Sequence, residues 1–356
     1  MSTDKKKIRI WFNRSFAVGY HYIEAVRNNE DGLAFEIYGT HRDPEHVSLL
    51  ACDHVEAEPD PILMGSDYAN FCLDFCRRHE IDVFVPRWGM RYVVAAAAQF
   101  AQIGVKLVCC TDADLLDEIE DKGNFFRSVH EQQLMVVPEY EVVRTAEQFK
   151  AAYERIAAQG LRVCFKPTRM EGGVGFRVID NNIDPLDDLF ATVSARVSFE
   201  HVYQTLSNVD IFPELMVMEL LQGPEYSIDC LASPEGELLV AIPRRKNGGR
   251  SRLLEHNEQL LAIAARVASY YRIPYNYNLQ LIYQGDTPKA LEINPRMSGG
   301  LHMSCLTGIN FPYLAVKMAL GHTVEVQQPE YGLLTTYVEQ PLVMRQEQTV
   351  QPIIRS

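Results

Sequence analysis

Between Ile8 and Cys110 four short β-rich runs alternate with segments of helical length, and after Thr111 that alternation stops. Residues 8–12, 35–38, 82–85 and 106–108 read as strands, and strands regularly separated by helices fold as a small parallel sheet with helices on its faces. Tyr68, Phe71, Cys72, Phe75 and Cys76 recur at i, i+3, i+4, i+7 and i+8, which predicts one helix burying a single stripe. Cys72 and Cys76 then serve as small core residues; their spacing lacks the nearby second ligands that a metal would need. Beyond Thr111 the pattern predicts helices over 122–130 and about 145–159, strands over 163–166, 175–179, 215–220, 226–232 and 238–242, and a helix near 257–271. A hairpin of 278–283 and 289–294 follows, turning at Gly285-Asp286. Adjacent strands joined by turns form an antiparallel α+β layout rather than further doubly wound units. The expected organisation is an N-terminal α/β domain over 1–110, a second domain over 111–325 with a glycine-loop lid at about 140–220, and a weakly patterned tail over 326–356.

The 356 residues carry 47 acidic against 34 basic side chains, a formal charge of −13 that opposes general affinity for nucleic acid or anionic lipid. Local basic pockets for small anions remain compatible with that balance. The longest apolar run, 93–98, is far below the ~18 residues of a membrane span, so no membrane segment is expected. The eight cysteines include no Cys-x-x-Cys pair, and no signal-like stretch follows Lys5-Lys6-Lys7; reduced thiols in the cytoplasm are expected.

Three segments could carry chemistry. Lys166-Pro167-Thr168-Arg169-Met170-Glu171-Gly172-Gly173-Val174-Gly175 lies between two expected strands. Its glycines allow backbone N–H groups to fold over phosphate oxygens beside the lysine's compact cation, although a plain glycine-rich turn has the same composition. It is neither a P-loop nor a dinucleotide fingerprint. In Glu292-Ile293-Asn294-Pro295-Arg296, strand alternation places Glu292, Asn294 and Arg296 on one face and Leu291 and Ile293 on the other. Symmetric pairing through Asp286 would set Gln280 opposite Glu292. Carboxylate and amide oxygens suit Mg²⁺, which borrows its remaining ligands from phosphates, and Arg296 could hold a transferring phosphoryl group. A polar, solvated strand face is the other reading. The third segment, Met218-Glu219-Leu220-Leu221-Gln222-Gly223-Pro224-Glu225-Tyr226-Ser227-Ile228-Asp229, is two strands and a turn, or an apolar edge for a purine followed by a carboxylate for ribose.

Taken in order from about Ile8 to Gly321, these segments resemble the ATP-grasp superfamily, most nearly its carbamoyl-phosphate-synthase-like and amino-acid-ligase-like branches. The resemblance is carried by Asp121-Lys122, Phe165-Lys166-Pro167, the glycine loop, Met218-Glu219-Leu220-Leu221, Glu225, Gln280 and Glu292-Ile293-Asn294-Pro295-Arg296. It implies an α/β N-terminal domain with a small parallel sheet, then an α+β ATP-grasp fold whose two subdomains clasp ATP. It further implies Lys122 and Lys166 on the ATP phosphates under a cover of Gly172, Gly173 and Gly175. Glu219 and Leu221 would meet adenine, largely through backbone, and Glu225 the ribose. Gln280, Glu292 and Asn294 would hold Mg²⁺, two ions being usual and Mn²⁺ an acceptable substitute, and Arg296 would steady the γ-phosphate and the acyl phosphate. The implied activity is that of a carboxylate-amine ligase: a small-molecule carboxylate becomes an acyl phosphate and joins an amine, with ADP and phosphate released. Many relatives pair, so a homodimer is compatible with the resemblance. No Ser-His-Asp or Cys-His arrangement competes with it.

The sequence departs from the pattern after its first expected strand, where Asn13-Arg14-Ser15-Phe16-Ala17-Val18-Gly19 replaces a glycine-rich turn. Basic residues also follow the third, in Pro86-Arg87-Trp88-Gly89-Met90-Arg91. Strand carboxyl ends in open α/β sheets face ligand crevices, so Arg14, Arg42, Arg87 and Arg91 could converge on an anionic substrate or lie scattered on the surface. The run Pro243-Arg244-Arg245-Lys246-Asn247-Gly248-Gly249-Arg250-Ser251-Arg252 could close on acyl phosphate or acceptor as an ordering loop, or be a solvated one. His302 could approach the acceptor or be an ordinary hydrogen-bonded histidine. Two rival functions stay open: a catalytically silent ATP-binding regulatory or scaffold protein, and an NAD(P)-dependent oxidoreductase. The missing Gly-x-Gly-x-x-Gly argues against the latter.

Overall fold

The computed structural model describes residues 7–170, 173–184, 186, 190 and 194–341. The chain divides into two compact units, one formed by Met1–Leu116, Tyr226–Leu279 and Asn294–Ser356, the other by Asp117–Glu225 and Gln280–Ile293.

In the first unit, β1 (Ile8–Phe12), β2 (Phe35–His41), β3 (His54–Ala57), β4 (Val83–Val85) and β5 (Lys106–Leu107) form a parallel sheet of order β3-β2-β1-β4-β5. Four of these strands answer the expected runs. Strand β3 does not, because it is an exposed edge strand whose His54 and Glu56 side chains break any β-rich pattern. Alternation along β1 gives the sheet two cores. Ile10 and Phe12 pack with Tyr22, Ile23 and Val26 of the helix Gly19–Arg27 and with the helix Phe311–Ala319. Trp11, fully buried, stacks on Phe84 at 4.0 Å and on Phe75 at 4.3 Å. Phe75 belongs to the helix Asp67–His79, which buries Tyr68, Cys72 and Cys76 as the periodicity requires. Each such large apolar side chain contributes roughly 1.5–3 kcal/mol by leaving water.

In the second unit, β6 (Tyr140–Val143), β7 (Val163–Pro167), β8 (Arg177–Ile179), β9 (Arg196–Val197) and β10 (Leu215–Glu219) form a sheet of order β6-β10-β7-β8-β9, antiparallel except between β8 and β9. Phe149 and Ile156 of the helix Ala146–Ala157, capped by Thr145, fill its core with Phe165 and Val217. Residues 171–172, 185, 187–189 and 191–193 of the expected lid, Gly172 among them, lie outside the described residues.

The third sheet has the order β15-β14-β11-β12-β13-β16, from β11 (Glu225–Ala232), β12 (Leu238–Lys246), β13 (Arg252–Leu254), β14 (Tyr275–Gln284), β15 (Thr287–Asn294) and β16 (Leu333–Thr335). Strand β12 is longer than the pattern predicts: Pro243 to Lys246 continue the ladder, with Pro243 opposite Ile228 and Arg244 opposite Ser227. The basic run is therefore half strand, and only 247–251 turns towards β13. Strand β16 pairs with β13 inside the expected tail, so that tail is structured at least through Thr335. In the hairpin, strand ends at Gln284 and Thr287 leave a two-residue turn with Gly285 at φ +60°. Burial along β15 does not follow strict alternation. Pro288 and Ala290 are buried, then Ile293, while Leu291 and Glu292 are both half-buried.

Candidate functional site

The second unit gathers two buried ammonium groups and a carboxylate. Asp121 caps the helix Lys122–Glu131 by accepting from the N–H groups of Gly123 and Asn124, which fixes Lys122 at the first helical position. The Lys122 side chain, buried, donates to the Met170 carbonyl at 2.6 Å and stands 3.7 Å from Glu292 Oε2. Lys166, in β7 and equally buried, donates to the Leu291 carbonyl at 3.4 Å and lies 5.9 Å from the Phe126 ring centre. Burial, then the charge of Lys122, brings the Lys166 amine down to about 8 against the counterpull of Glu292. A lysine from a helix thus stands by the Glu292 carboxylate of the late hairpin, and a lysine from a strand bonds the neighbouring Leu291 carbonyl and feels the same charge, which sequence spacing could not show.

The loop after β7 is shaped by glycine. Gly173 and Gly175 have φ of +75° and +77°, and a Cβ on Gly175 would sit 2.7 Å from Pro167 Cδ, whereas one on Gly173 would meet open space. Glu219, at the end of β10, is buried with its carboxylate held by Lys289 Nζ at 2.7 and 2.9 Å and accepting from Glu139 N–H. That side chain is engaged within the protein, and so is its backbone, whose N–H donates to the Glu139 carbonyl at 2.8 Å and whose carbonyl accepts from Cys164 Sγ at 3.7 Å. Leu221 is buried and Glu225 opens β11 half-buried. Gln280 and Glu292 belong to the second unit's hairpin; Asn294 ends β15, and Arg296 follows in the first unit, its guanidinium donating to the Met297 carbonyl at 3.3 Å. Among the described residues no group of three or more His, Cys, Asp or Glu is placed to hold a metal; the expected donors are one carboxylate and two amides, all oxygen ligands of the kind Mg²⁺ takes.

In the first unit the arginines separate into three environments. Arg14 lies over the Trp88 ring at 4.4 Å, Arg87 over Phe16 at 4.6 Å, and both line one pocket with Arg42. Arg91 instead is exposed against Tyr92, donating to its hydroxyl, and does not join that pocket. Arg244 is buried and pairs with the fully buried Asp229 at 3.1 Å, its guanidinium so close to Gly300 that a Cβ there would collide with Arg244 Cζ. Asp229 also accepts from Asn278, Ser298 and Ser304, so the charge is fully satisfied. Arg244 is thus a core ion pair rather than part of a mobile loop, and Arg245, half-buried, stands 3.9 Å from Glu255. His302 stacks on His21 at 4.8 Å and is held neutral, brought down to about 4 by burial and by neighbouring His21 and Arg244.

Lys289 and Glu58 carry no local signal in the sequence, because the partners they organise lie far along the chain: Glu219 for Lys289, and Arg14 N–H and the Thr40 and Tyr68 hydroxyls for Glu58. Asp229 had one legible signal, an ionisable residue inside the apolar strand Ile228-Asp229-Cys230-Leu231.

Residues 211–341 match the family model described as ATP-grasp in the biosynthetic pathway with Ter operon. Carbamoyl phosphate synthase large chains from Clostridium acetobutylicum and Thermomicrobium roseum are 19% and 25% identical over 75% and 73% of this chain. The chain spans only 24% and 23% of their lengths. Among solved structures, the biotin carboxylase domain dimer of Hydrogenobacter thermophilus 2-oxoglutarate carboxylase, in complex with MgADP, ADP and bicarbonate, has a TM-score of 0.63 at 14% identity, covering 91% of this chain and 72% of that one. N5-carboxyaminoimidazole synthetase from Staphylococcus aureus gives 0.64 at 11%, covering 91% and 81%. Among the described residues no helix is long and apolar enough to cross a membrane. The chain has the ATP-grasp fold, and over residues 211–341 it resembles that family in sequence as well.

Proposed function

We propose that this protein is an ATP- and Mg²⁺-dependent ligase that converts a small-molecule carboxylate to an acyl phosphate and joins the acyl group to an amine, releasing ADP and phosphate. The observation that carries this reading is the meeting of Lys122, Lys166 and Glu292 beside a glycine-shaped loop. Two buried cations so close repel each other and are poorly matched by one carboxylate, whereas a triphosphate supplies the missing negative charge. Lys122 and Lys166 would hold the phosphates, with Gly172, Gly173 and Gly175 covering them. Glu219 and Leu221 would meet adenine, and Glu225 would offer its carboxylate to ribose. Gln280, Glu292 and Asn294 would hold Mg²⁺, which when bound neutralises phosphate oxygens. Arg296 would steady the γ-phosphate as the carboxylate oxygen displaces ADP, and the amine would then expel phosphate from the acyl carbon.

Solved neighbours in complex with MgADP and with ADP support this use of nucleotide, and the dimeric biotin carboxylase domain supports a homodimer as part of the same proposal. A place in the cytoplasm, where ATP and Mg²⁺ are available, completes it. The test is thermal stabilisation by ATP·Mg compared with NAD(P)H, followed by phosphate release with pooled amino acids and small carboxylates. Stabilisation by ATP·Mg, lost in Lys166→Met, and substrate-dependent phosphate release are expected. Stabilisation without release under any pool would favour a silent nucleotide-binding protein, and no response to ATP·Mg would end the reading.

A further inference from the structure

The pocket holding Arg14, Arg42 and Arg87 has a place in the fold that gives it a use. Its residues come from the segments following β1, β2 and β4, three neighbouring strands of one parallel sheet. From β1 the chain adds β2 and β3 on one side, then β4 and β5 on the other, so β1 and β4 flank the point where the winding reverses. Open α/β sheets present ligands outside the carboxyl ends of their strands at that point.

The three segments are braced from beneath. The buried Asn13 amide accepts from the N–H groups of Arg87 and Trp88 at 2.6 and 3.3 Å, and donates to the Trp88 carbonyl at 2.7 Å and to the Tyr68 hydroxyl at 2.8 Å. The buried Glu58 carboxylate accepts from Arg14 N–H, from the Thr40 hydroxyl and from Tyr68. Two guanidiniums are in turn oriented by aromatic rings, Arg14 on Trp88 and Arg87 on Phe16. Asp60 is shared by Arg14 at 3.7 Å and Arg42 at 3.8 Å, and Asp43 Oδ1 accepts from Glu45 N–H. His41 and His46 stack at 3.9 Å on the same wall.

We infer that this pocket binds a phosphate monoester group carried by one of the ligase's substrates. Guanidiniums from three loops line one pocket, and each carries a planar fork of donors that suits an oxyanion. A single carboxylate, with two oxygens and one charge, is satisfied by one such fork, whereas a phosphate monoester presents three terminal oxygens and up to two charges. The inference rests on the proposed ligase activity only in calling the ligand a substrate.

The protein supplies its own reporter, since of its two tryptophans Trp11 is buried in the core and Trp88 lies in the pocket. The full chain is titrated with glycerol 3-phosphate, with glycerol and acetate as controls, by tryptophan fluorescence and by calorimetry; ATP·Mg stabilisation is measured in parallel. A saturable response to glycerol 3-phosphate is expected, about tenfold weaker in Arg42→Gln and in Arg87→Gln and unchanged in Lys166→Met. Absence of both heat and fluorescence change, equal affinity for acetate, or a response lost in Lys166→Met but kept in Arg42→Gln overturns the inference. Phosphate-ester binding without any ATP·Mg response would instead remove the ligase reading and leave the pocket standing.

Discussion

Nζ of Lys122 stands 3.7 Å from Oε2 of Glu292, the one carboxylate among the residues proposed to hold Mg²⁺. The ammonium and carboxylate partly neutralise each other, and Glu292 also supports the protonated form of the adjacent Lys166. Replacing Glu292 with Gln therefore has two consequences: a weaker oxygen donor for Mg²⁺ and a lysine pair with no counter-charge. A loss of about 10²–10³ in turnover is expected, measured as ADP release across a Mg²⁺ titration, with the Lys166 amine displaced further below 8.

Lys166 sets a pH dependence whose sign follows from its depressed amine. It is charged below about 8 and loses its proton above. Nucleotide affinity should fall as pH rises through 8, and binding at pH 8–9 should take up a proton as the phosphates restore the charge. Calorimetry in buffers of different ionisation enthalpy reads that proton directly. For folding, the sign is the reverse of a salt-bridged lysine's: the unfolded chain holds more protons between about 8 and the ordinary lysine value, so this group's contribution to stability rises with pH over that window. Lys166→Met should remove both effects.

Gly175 and Gly173 share a left-handed backbone but not their surroundings. Alanine at 173 carries only the conformational penalty, about 1 kcal/mol, while alanine at 175 must also displace Pro167 at the end of β7. Gly175→Ala should lower the thermal midpoint more than Gly173→Ala, and should weaken ATP·Mg binding in the same order.

Asp229 and Arg244 form a buried pair with every carboxylate contact satisfied. Asp229→Asn leaves the guanidinium buried beside a neutral group and should cost about 3–5 kcal/mol by denaturant titration. Asp229→Leu combined with Arg244→Met should lose much less than the sum of its single changes, the coupling expected of a desolvated ion pair.

Local pattern determined much of this protein. Alternation of short strands with helices set the parallel sheet, the stripe from Tyr68 to Cys76 set the helix beneath it, and the order of motifs from Lys122 to Arg296 pointed to the ATP-grasp fold, because each depends on residues close in sequence or on their linear order. Tertiary structure decided what depends on distant partners. The edge strand β3 exists through its pairing with β2, and β12 runs on to Lys246 because Arg244 meets Asp229 from the neighbouring strand. Of four basic side chains equivalent by composition, Arg14, Arg42 and Arg87 share a pocket and Arg91 turns to Tyr92. Charge and periodicity are properties of the chain, but the direction of a long side chain is settled by the ring or carboxylate that folding places beside it.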